Sequence, residues 1–299
     1  MRAAAILGLG CSPKDLKPFQ TDESVQWQPG MPAEGDGTEA VLLLGGDGTI
    51  HRHLAHLVKL GLPVLIVPAG SGNDFARALG LQRVKDSLAA WKSFCRSRSN
   101  VREIDLGVIS RAGNAGEAPA PPEHYFCCVA GVGLDGEVAR RANQLPRWLR
   151  GNGGYVLSLA PTIFTYAPFP LKILAATPAP SAPDDWTVRF QQSALLAAFA
   201  NTPLYGGGMK VAPKARMDDG LLDVCVVGAL HPFRFFCLFP TVYGGHHLAI
   251  DQVEYFQGPR VRVETEHPLE VYADGEYVCQ TPVEVAVEPA ALKVITRDS

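Results

Sequence analysis

Val41-Leu42-Leu43-Leu44-Gly45-Gly46-Asp47-Gly48-Thr49 decides the fold of this chain. The apolar run Val41–Leu44 suits a strand buried on both faces of a parallel sheet. It breaks into Gly45, Gly46 and Gly48, which let a ligand come close to the main chain. Ile50–Leu60 reads as a helix with Ile50, Leu54, Leu57 and Val58 on one face. A glycine turn between a strand and a helix N-terminus is an anion site, because N–H groups and the helix dipole point into it. Asp47 would repel a bare phosphate there, so its presence implies a phosphate met through a cation, usually Mg²⁺. The competing reading is a turn that binds nothing. The turn alone leaves both open.

The pattern recurs downstream. Leu62–Val67 is a second apolar run, ending in Pro68-Ala69-Gly70-Ser71-Gly72-Asn73-Asp74, and Phe75–Leu79 opens a helix that Gly80 closes. Val84–Ser99 has amphipathic spacing, with Val84, Leu88, Trp91 and Cys95 expected inward. Upstream, Ala3–Leu9 reads as a first strand rather than a lipoprotein-like leader ending at Gly10-Cys11, and Ser24–Trp27 as a short second one. Strand and helix alternating to about residue 100 argue for a parallel α/β domain. Both glycine turns would lie at the carboxyl edge of its sheet, where open α/β sheets bind ligands.

After Val101 the pattern changes. Val101–Ile109, His124–Ala130, Leu171–Ala176, Trp186–Phe190, Ala194–Ala200, Leu222–Val227, Arg260–Thr265, Leu269–Tyr272 and Val283–Val287 read as strands without regular crossover helices. An antiparallel sheet or sandwich is expected. Helical insertions fall at 136–166 and 232–248, and a loop at 110–123. A last strand, Leu292–Thr296, is able to join either domain. The expected division is 1–102, with 290–299 returning to it, and 103–289.

Bulk properties exclude several classes. The chain has 299 residues, a length for two domains or one large one, and 47% of them are hydrophobic, ample for a core. A formal net charge of −3 argues against a broad nucleic-acid face. Seven cysteines without CxxC or Cys/His ligand spacing fit reduced thiols in a cytoplasmic protein rather than a zinc site. No uninterrupted apolar stretch reaches bilayer length, so membrane work would be peripheral.

Several residues invite chemistry. Asp47 and Asp74 occupy equivalent places in successive turns, although Asp74 also suits a helix N-cap. Ser71 offers a hydroxyl, but Ala69 and Asn73 stand where a hydrolase elbow needs glycines. Asp219, between Arg216 and Leu221, has the makings of a hard-cation loop or of a simple Asp-Gly turn. Asp135-Gly136-Glu137 and Asp274-Gly275-Glu276 each offer a general base, and the second equally suits a type I′ turn. His51, His53 and His56 lie on a polar helix face, and core packing is the plain account of Phe233, Phe235, Phe236 and Phe239; an acyl-chain groove is the alternative.

Together these residues resemble the diacylglycerol kinase catalytic-domain family, which includes bacterial soluble lipid kinases and sphingosine kinases. The resemblance rests on Gly45–Thr49, Gly70–Arg77, Ile104–Gly107, Gly131–Asp135, Ala212–Asp223 and Asp274–Glu276, in order along nearly the whole chain. It implies an N-terminal α/β domain like those of NAD kinase and phosphofructokinase, a C-terminal β-rich sandwich-like domain, and ATP and Mg²⁺ as cofactors. Gly45, Gly46, Asp47, Gly48, Thr49, Ile50, His51, Arg52 and Ser71 would bind the nucleotide. Asp47, Asp74 and Asp105 would form the acidic network around catalytic Mg²⁺, and Glu276, beside Asp274, would accept the proton. Asp219, with carbonyls of Arg216 and Leu221, would hold a structural Mg²⁺. His51-Arg52 replaces the family's usual Asn-Glu, and Gly8–Cys11 its Asn-Pro turn, so nucleotide affinity is expected to differ.

The expected activity is transfer of the γ-phosphate of ATP to a diacylglycerol-like lipid hydroxyl at the inner face of the membrane. The alternatives are an NAD-kinase-like phosphotransferase on a soluble substrate and a non-catalytic nucleotide sensor. The expected partner is a lipid and not a nucleic acid, and a homodimer is compatible with the sequence.

Overall fold

The computed structural model describes residues 1–112, 124–144, 161–176 and 186–297. Residues 113–123 of the expected loop and 145–160 of the first helical insertion lie outside them. The chain folds into two compact units, Met1–Asp105 with Pro289–Ser299, and Leu106–Glu288.

The first unit is built on parallel strands β1 (Arg2–Leu7), β2 (Gln26–Pro29), β3 (Ala40–Gly45) and β4 (Val64–Pro68). Their order is β2-β1-β3-β4, and the end of the last strand, β15 (Val283–Ile295), adds alongside β4 through Val294 against Val64. Every residue of β3 and β4 is buried, as the unbroken apolar runs require. Leu42, Leu43 and Leu44 are each almost wholly buried, worth about 1.5–3 kcal/mol apiece.

The helix after β3 begins earlier than its apolar spacing suggests, at Asp47, and ends at Leu60 with Gly61 in a left-handed cap. Its inward residues are Ile50, Leu54 and Leu57. The helix Val84–Ser97 is rotated from the expected face. Ser87, Ala90, Trp91 and Phe94 point inward, while Val84 is exposed and Leu88 and Cys95 are half-buried. The rings of Trp91 and Phe94, stacked with centroids 5.6 Å apart, set that face, and Ser87 is tolerated inside because its hydroxyl donates to the Ile66 carbonyl at 2.8 Å.

In the second unit the antiparallel strands run β14 (Glu276–Gln280), β13 (Glu270–Ala273), β7 (Val129–Gly133), β9 (Trp186–Ala200), β8 (Phe169–Ala176), β12 (Arg260–Thr265) and the start of β15. The strands β10 (Leu222–Gly228) and β11 (Val253–Gly258) pair with each other, and β10 also pairs with β9. Its core gathers Phe126, Leu171, Ile173, Phe199, Val224, Phe256, Val261 and Val285. Two expected strands, 186–190 and 194–200, are one long β9 that changes register at Ile173/Leu174 of its partner. Likewise 283–287 and 292–296 are one strand, β15. The expected strand 124–130 is instead two, β6 (His124–Phe126) and β7, interrupted at Cys127-Cys128.

The strand β5 (Val101–Arg111) and β15 carry the chain across the boundary between units. At Asp105 the buried carboxylate accepts from the Ala290 N–H at 2.9 Å, and Ala290 sits at φ 52°, a left-handed conformation rare for alanine. Gly107, two residues on, faces the ring of Phe126; a Cβ there would come within 2.0 Å of it.

Two stability predictions follow from these contacts. Asp105→Ala leaves the Ala290 N–H without its charged acceptor and should lower unfolding free energy by about 1–3 kcal/mol, read as a shifted urea midpoint. His247 is buried with Nε2 donating to the Val211 carbonyl at 3.0 Å, and burial holds its imidazole below the ordinary value of 6.5. Because the unfolded chain takes up that proton first, stability is full above pH 6.5 and falls as the pH drops below it. His247→Gln should flatten that acid slope in melting temperature against pH.

Candidate active site

The two glycine turns of the first unit meet back to back. Gly45 pairs in register with Pro68, the Ala69 N–H donates to the Gly45 carbonyl at 3.1 Å, and a Cβ built on Gly70 would lie 2.4 Å from the Gly46 Cα. No residue larger than glycine fits either position without parting the turns. Gly45 and Gly8 both lie against the Thr49 side chain, where an added Cβ would stand 2.7 Å and 2.6 Å from its nearest atoms. Thr49 therefore packs the base of the turn.

Asp47 stands half-buried at the first helical position after β3. Its carboxylate accepts from the Asp74 N–H at 3.1 Å and the Phe75 N–H at 3.2 Å, the two that open the helix Asp74–Ala78. One carboxylate thus closes the second turn while standing in the first. Asp74 does not serve as N-cap: Asn73 holds that place at φ 55°, and Asp74 is buried with Oδ1 accepting from Arg77 Nη1 at 2.9 Å. Asn73 was not anticipated from the sequence. Its amide ties off the loop, Oδ1 accepting from the Gly70 N–H at 2.8 Å and Nδ2 donating to the Gly70 carbonyl at 2.7 Å. An asparagine just before a helix-opening aspartate was the available signal.

Ser71 and Arg52 are exposed, Ile50 is buried, and Gly46, Asp47, Gly48, Thr49 and His51 are half-buried around the turn. His53 is held below the ordinary imidazole value by burial and then by Arg52 and His56. Among the described residues the three histidines do not converge as metal ligands. The residues present fit a phosphate-bearing nucleotide with a cation: glycine backbone that any side chain would fill, next to a carboxylate fixed by main-chain bonds.

The second unit holds the other candidates. Asp274 and Gly275, at φ 51° and 86°, form the two-residue turn between β13 and β14, the geometry of a type I′ hairpin. Asp274 also does something a plain turn residue does not. Its carboxylate accepts from the N–H groups of Cys128 at 2.8 Å, Cys127 at 2.9 Å and Val129 at 3.3 Å, and from the Cys127 thiol at 3.3 Å. This is why the strand 124–130 breaks at Cys127-Cys128: those N–H groups turn toward Asp274 instead of a neighbouring strand. Glu276 follows, exposed, at the first position of β14.

Asp135 is buried and accepts from the Tyr205 hydroxyl at 2.8 Å, whereas Glu137 is spent on Arg140 and Arg141 at 2.8 Å and 2.7 Å. Glu137 is therefore held ionised by two guanidinium groups and is ill suited to take up a proton. In the 216–221 loop Asp219 Oδ1 accepts from the Leu221 N–H at 3.1 Å, Gly220 takes φ 71°, and Arg216 pairs with Asp218 at 3.1 Å.

A parallel α/β unit with fused glycine turns, joined to an antiparallel β unit, is the architecture of the NAD kinase-like fold. The family model of the diacylglycerol kinase catalytic domain matches residues 28–109, and that of the YegS C-terminal NAD kinase beta sandwich-like domain matches 128–296. The chain is 33% identical over 269 residues to a diacylglycerol kinase of Mycobacterium tuberculosis, covering 88% of this chain and 78% of that protein. A diacylglycerol kinase structure from Bacillus anthracis superposes with a TM-score of 0.66 at 18% identity, over 99% of this chain and 96% of that one. An NAD kinase from Archaeoglobus fulgidus in complex with ATP superposes with a TM-score of 0.53 at 14% identity, over 100% and 94%. The chain belongs to the diacylglycerol kinase catalytic-domain family. It is an enzyme, a lipid kinase.

The contact between the turns is testable. Gly70→Ala should lower stability by about 1–3 kcal/mol through overpacking against Gly46, whereas Gly258→Ala, where the nearest atom lies 3.9 Å away, should cost far less. Paired thermal melts give the comparison, and equal shifts would show that the turns part freely.

Proposed function

We propose that this lipid kinase transfers the γ-phosphate of ATP to the hydroxyl of a diacylglycerol-like lipid at a membrane surface, with Mg²⁺ as cofactor. The observation that carries the reading is the pair of glycine turns pressed together around one fixed carboxylate, Asp47. Gly45 to Arg52 hold the triphosphate, with backbone N–H groups as donors and Ser71 contributing its hydroxyl. Asp47, Asp74 and Asp105 supply the carboxylates for the metal. A Mg²⁺ held there would supply charge neutralisation for phosphoryl transfer.

Glu276 takes the acceptor's proton: the O–H bond breaks toward a Glu276 carboxylate oxygen as the lipid oxygen bonds phosphorus. Asp274 is a positioning residue. Its bonds to the Cys127–Val129 main chain pin the hairpin that presents Glu276. Asp219, with the Arg216 and Leu221 carbonyls, forms a second, structural cation site.

Glu276→Gln should reduce turnover on a total lipid extract by about 10²–10⁴-fold while ATP binding persists. Turnover is read as phosphorylated lipid by mass spectrometry and ATP binding by calorimetry; undiminished turnover would remove Glu276 from the reaction. Phosphate appearing only in water-soluble products would point to an NAD-kinase-like acceptor, and none in any product to a nucleotide sensor. Chelation of divalent ions should lower the melting temperature of the natural chain more than that of Asp219→Ala.

A further inference from the structure

Phe233, Phe235, Phe236 and Phe239 depart from their plain reading as core. Of the four phenylalanines in and just after the helix Pro232–Leu238, only Phe235 is buried. Phe233 is 63% exposed and Phe236 47%. Phe236 lies against Phe164, itself 54% exposed, with ring centroids 5.9 Å apart. Phe239 bridges the buried and exposed parts, edge-on to the exposed Tyr243 at 6.1 Å and tilted against Phe235 at 6.4 Å. Phe235 thus anchors a short helix whose outer side is aromatic. Scattered single apolar residues on a surface need no account, but a contiguous aromatic face does.

The segment that carries this face has charge of one sign. The sequence from Val224 to Ile250 contains no aspartate or glutamate, in a chain that carries 30 of them. Arg234 lies on the exposed side of that helix and makes no ion pair among the described residues. Lys210, exposed, is tied beside the segment by its N–H to the Val242 carbonyl at 3.1 Å. The helix Leu134–Gln144 touches the same region through Arg141, whose Nη2 donates to Thr165 Oγ1 at 3.5 Å. That helix also supports the hairpin of Glu276: Gly136 lies under the Tyr272 ring, with room for no Cβ, and Tyr272 packs edge-on against Tyr277 at 5.9 Å.

We propose that Phe164, Phe233, Phe236 and Tyr243, flanked by Arg234 and Lys210, form a surface that docks this unit onto an anionic phospholipid bilayer. Aromatic side chains partition to the depth of the headgroups, and cations without competing carboxylates are drawn to an anionic leaflet. A second copy of the chain is the poorer occupant. A two-fold contact through this face would bring the cations of one copy to those of the other, with no carboxylate on the segment to pair them. The inference deepens the lipid-kinase reading and rests on it for the choice of a membrane as partner. It names the face that meets the lipid, beside the helix that supports Glu276.

The test is flotation of the full chain, without ATP, with vesicles of phosphatidylcholine and phosphatidylglycerol or of phosphatidylcholine alone. The natural chain should float with the mixed vesicles, less with phosphatidylcholine alone, and less at high salt. Phe233→Ser with Phe236→Ser should lower the partition coefficient about tenfold, and Arg234→Glu should weaken binding to the anionic vesicles. Val188→Ser, at an exposed apolar residue elsewhere, should float like the natural chain. Thermal melts confirm folding, since all these side chains are exposed. The proposal is overturned if the natural chain stays unbound, if the aromatic variant floats unchanged, or if that variant dissolves a dimer and still binds vesicles. A chain that floats yet phosphorylates no extracted lipid sinks the kinase reading and leaves the surface standing; one that phosphorylates lipid in detergent micelles but never floats does the reverse.

Discussion

The first unit turns on one carboxylate. Asp47 sits at the end of one strand's turn and accepts the N–H groups that open the helix after the next strand. A helix of five residues, Asp74–Ala78, has little cooperative stability of its own, so satisfying its first N–H groups decides whether it forms there. The acceptor can reach them only because Gly46 and Gly70 approach without side chains. The glycines and the aspartate therefore act as one device.

The second unit repeats the idea with different parts. Asp274 gathers three N–H groups from Cys127 to Val129, and in doing so ends one strand and starts another. Asp105 does the same for Ala290 where the chain returns to the first unit. Charged acceptors on main-chain donors are worth about 1.5–3 kcal/mol each. The aspartates that the family resemblance assigns to chemistry thus also hold backbone. Substituting them changes architecture together with any chemistry, which makes the exposed Glu276 the cleaner probe of proton transfer.

Much of the fold was legible along the chain because its strongest signals are local. Continuous apolar runs such as Val41–Leu44 and Leu62–Val67 mark strands covered on both faces, and the glycine-rich breaks after them mark the carboxyl edge of the sheet. What was not legible depended on partners far away in sequence. The strand Val253–Gly258 was overlooked because only Phe256 and Gly258 of it are fully buried, giving a thin alternation. The expected break within β9 vanished because pairing with β8 carried the backbone through Gln191–Ser193, and the one within β15 because the Ala290 N–H is held by the distant Asp105 carboxylate. The rotation of the helix Val84–Ser97 followed from ring size and from a carbonyl, Ile66, waiting for the Ser87 hydroxyl.

The sequence by itself determined the two-part architecture, the glycine turns and the list of acidic residues near them, since each is written in short stretches whose conformational options are few. Tertiary structure alone decided what those acids touch: that Asp47 closes the turn after β4 and that Asp274 breaks a strand. It also decided which phenylalanines of 233–239 face water. A hydroxyl, a carboxylate or a ring is chosen by the chain, but its partner is set by which backbone donors and which surfaces folding brings within a few ångströms, and no local pattern encodes that.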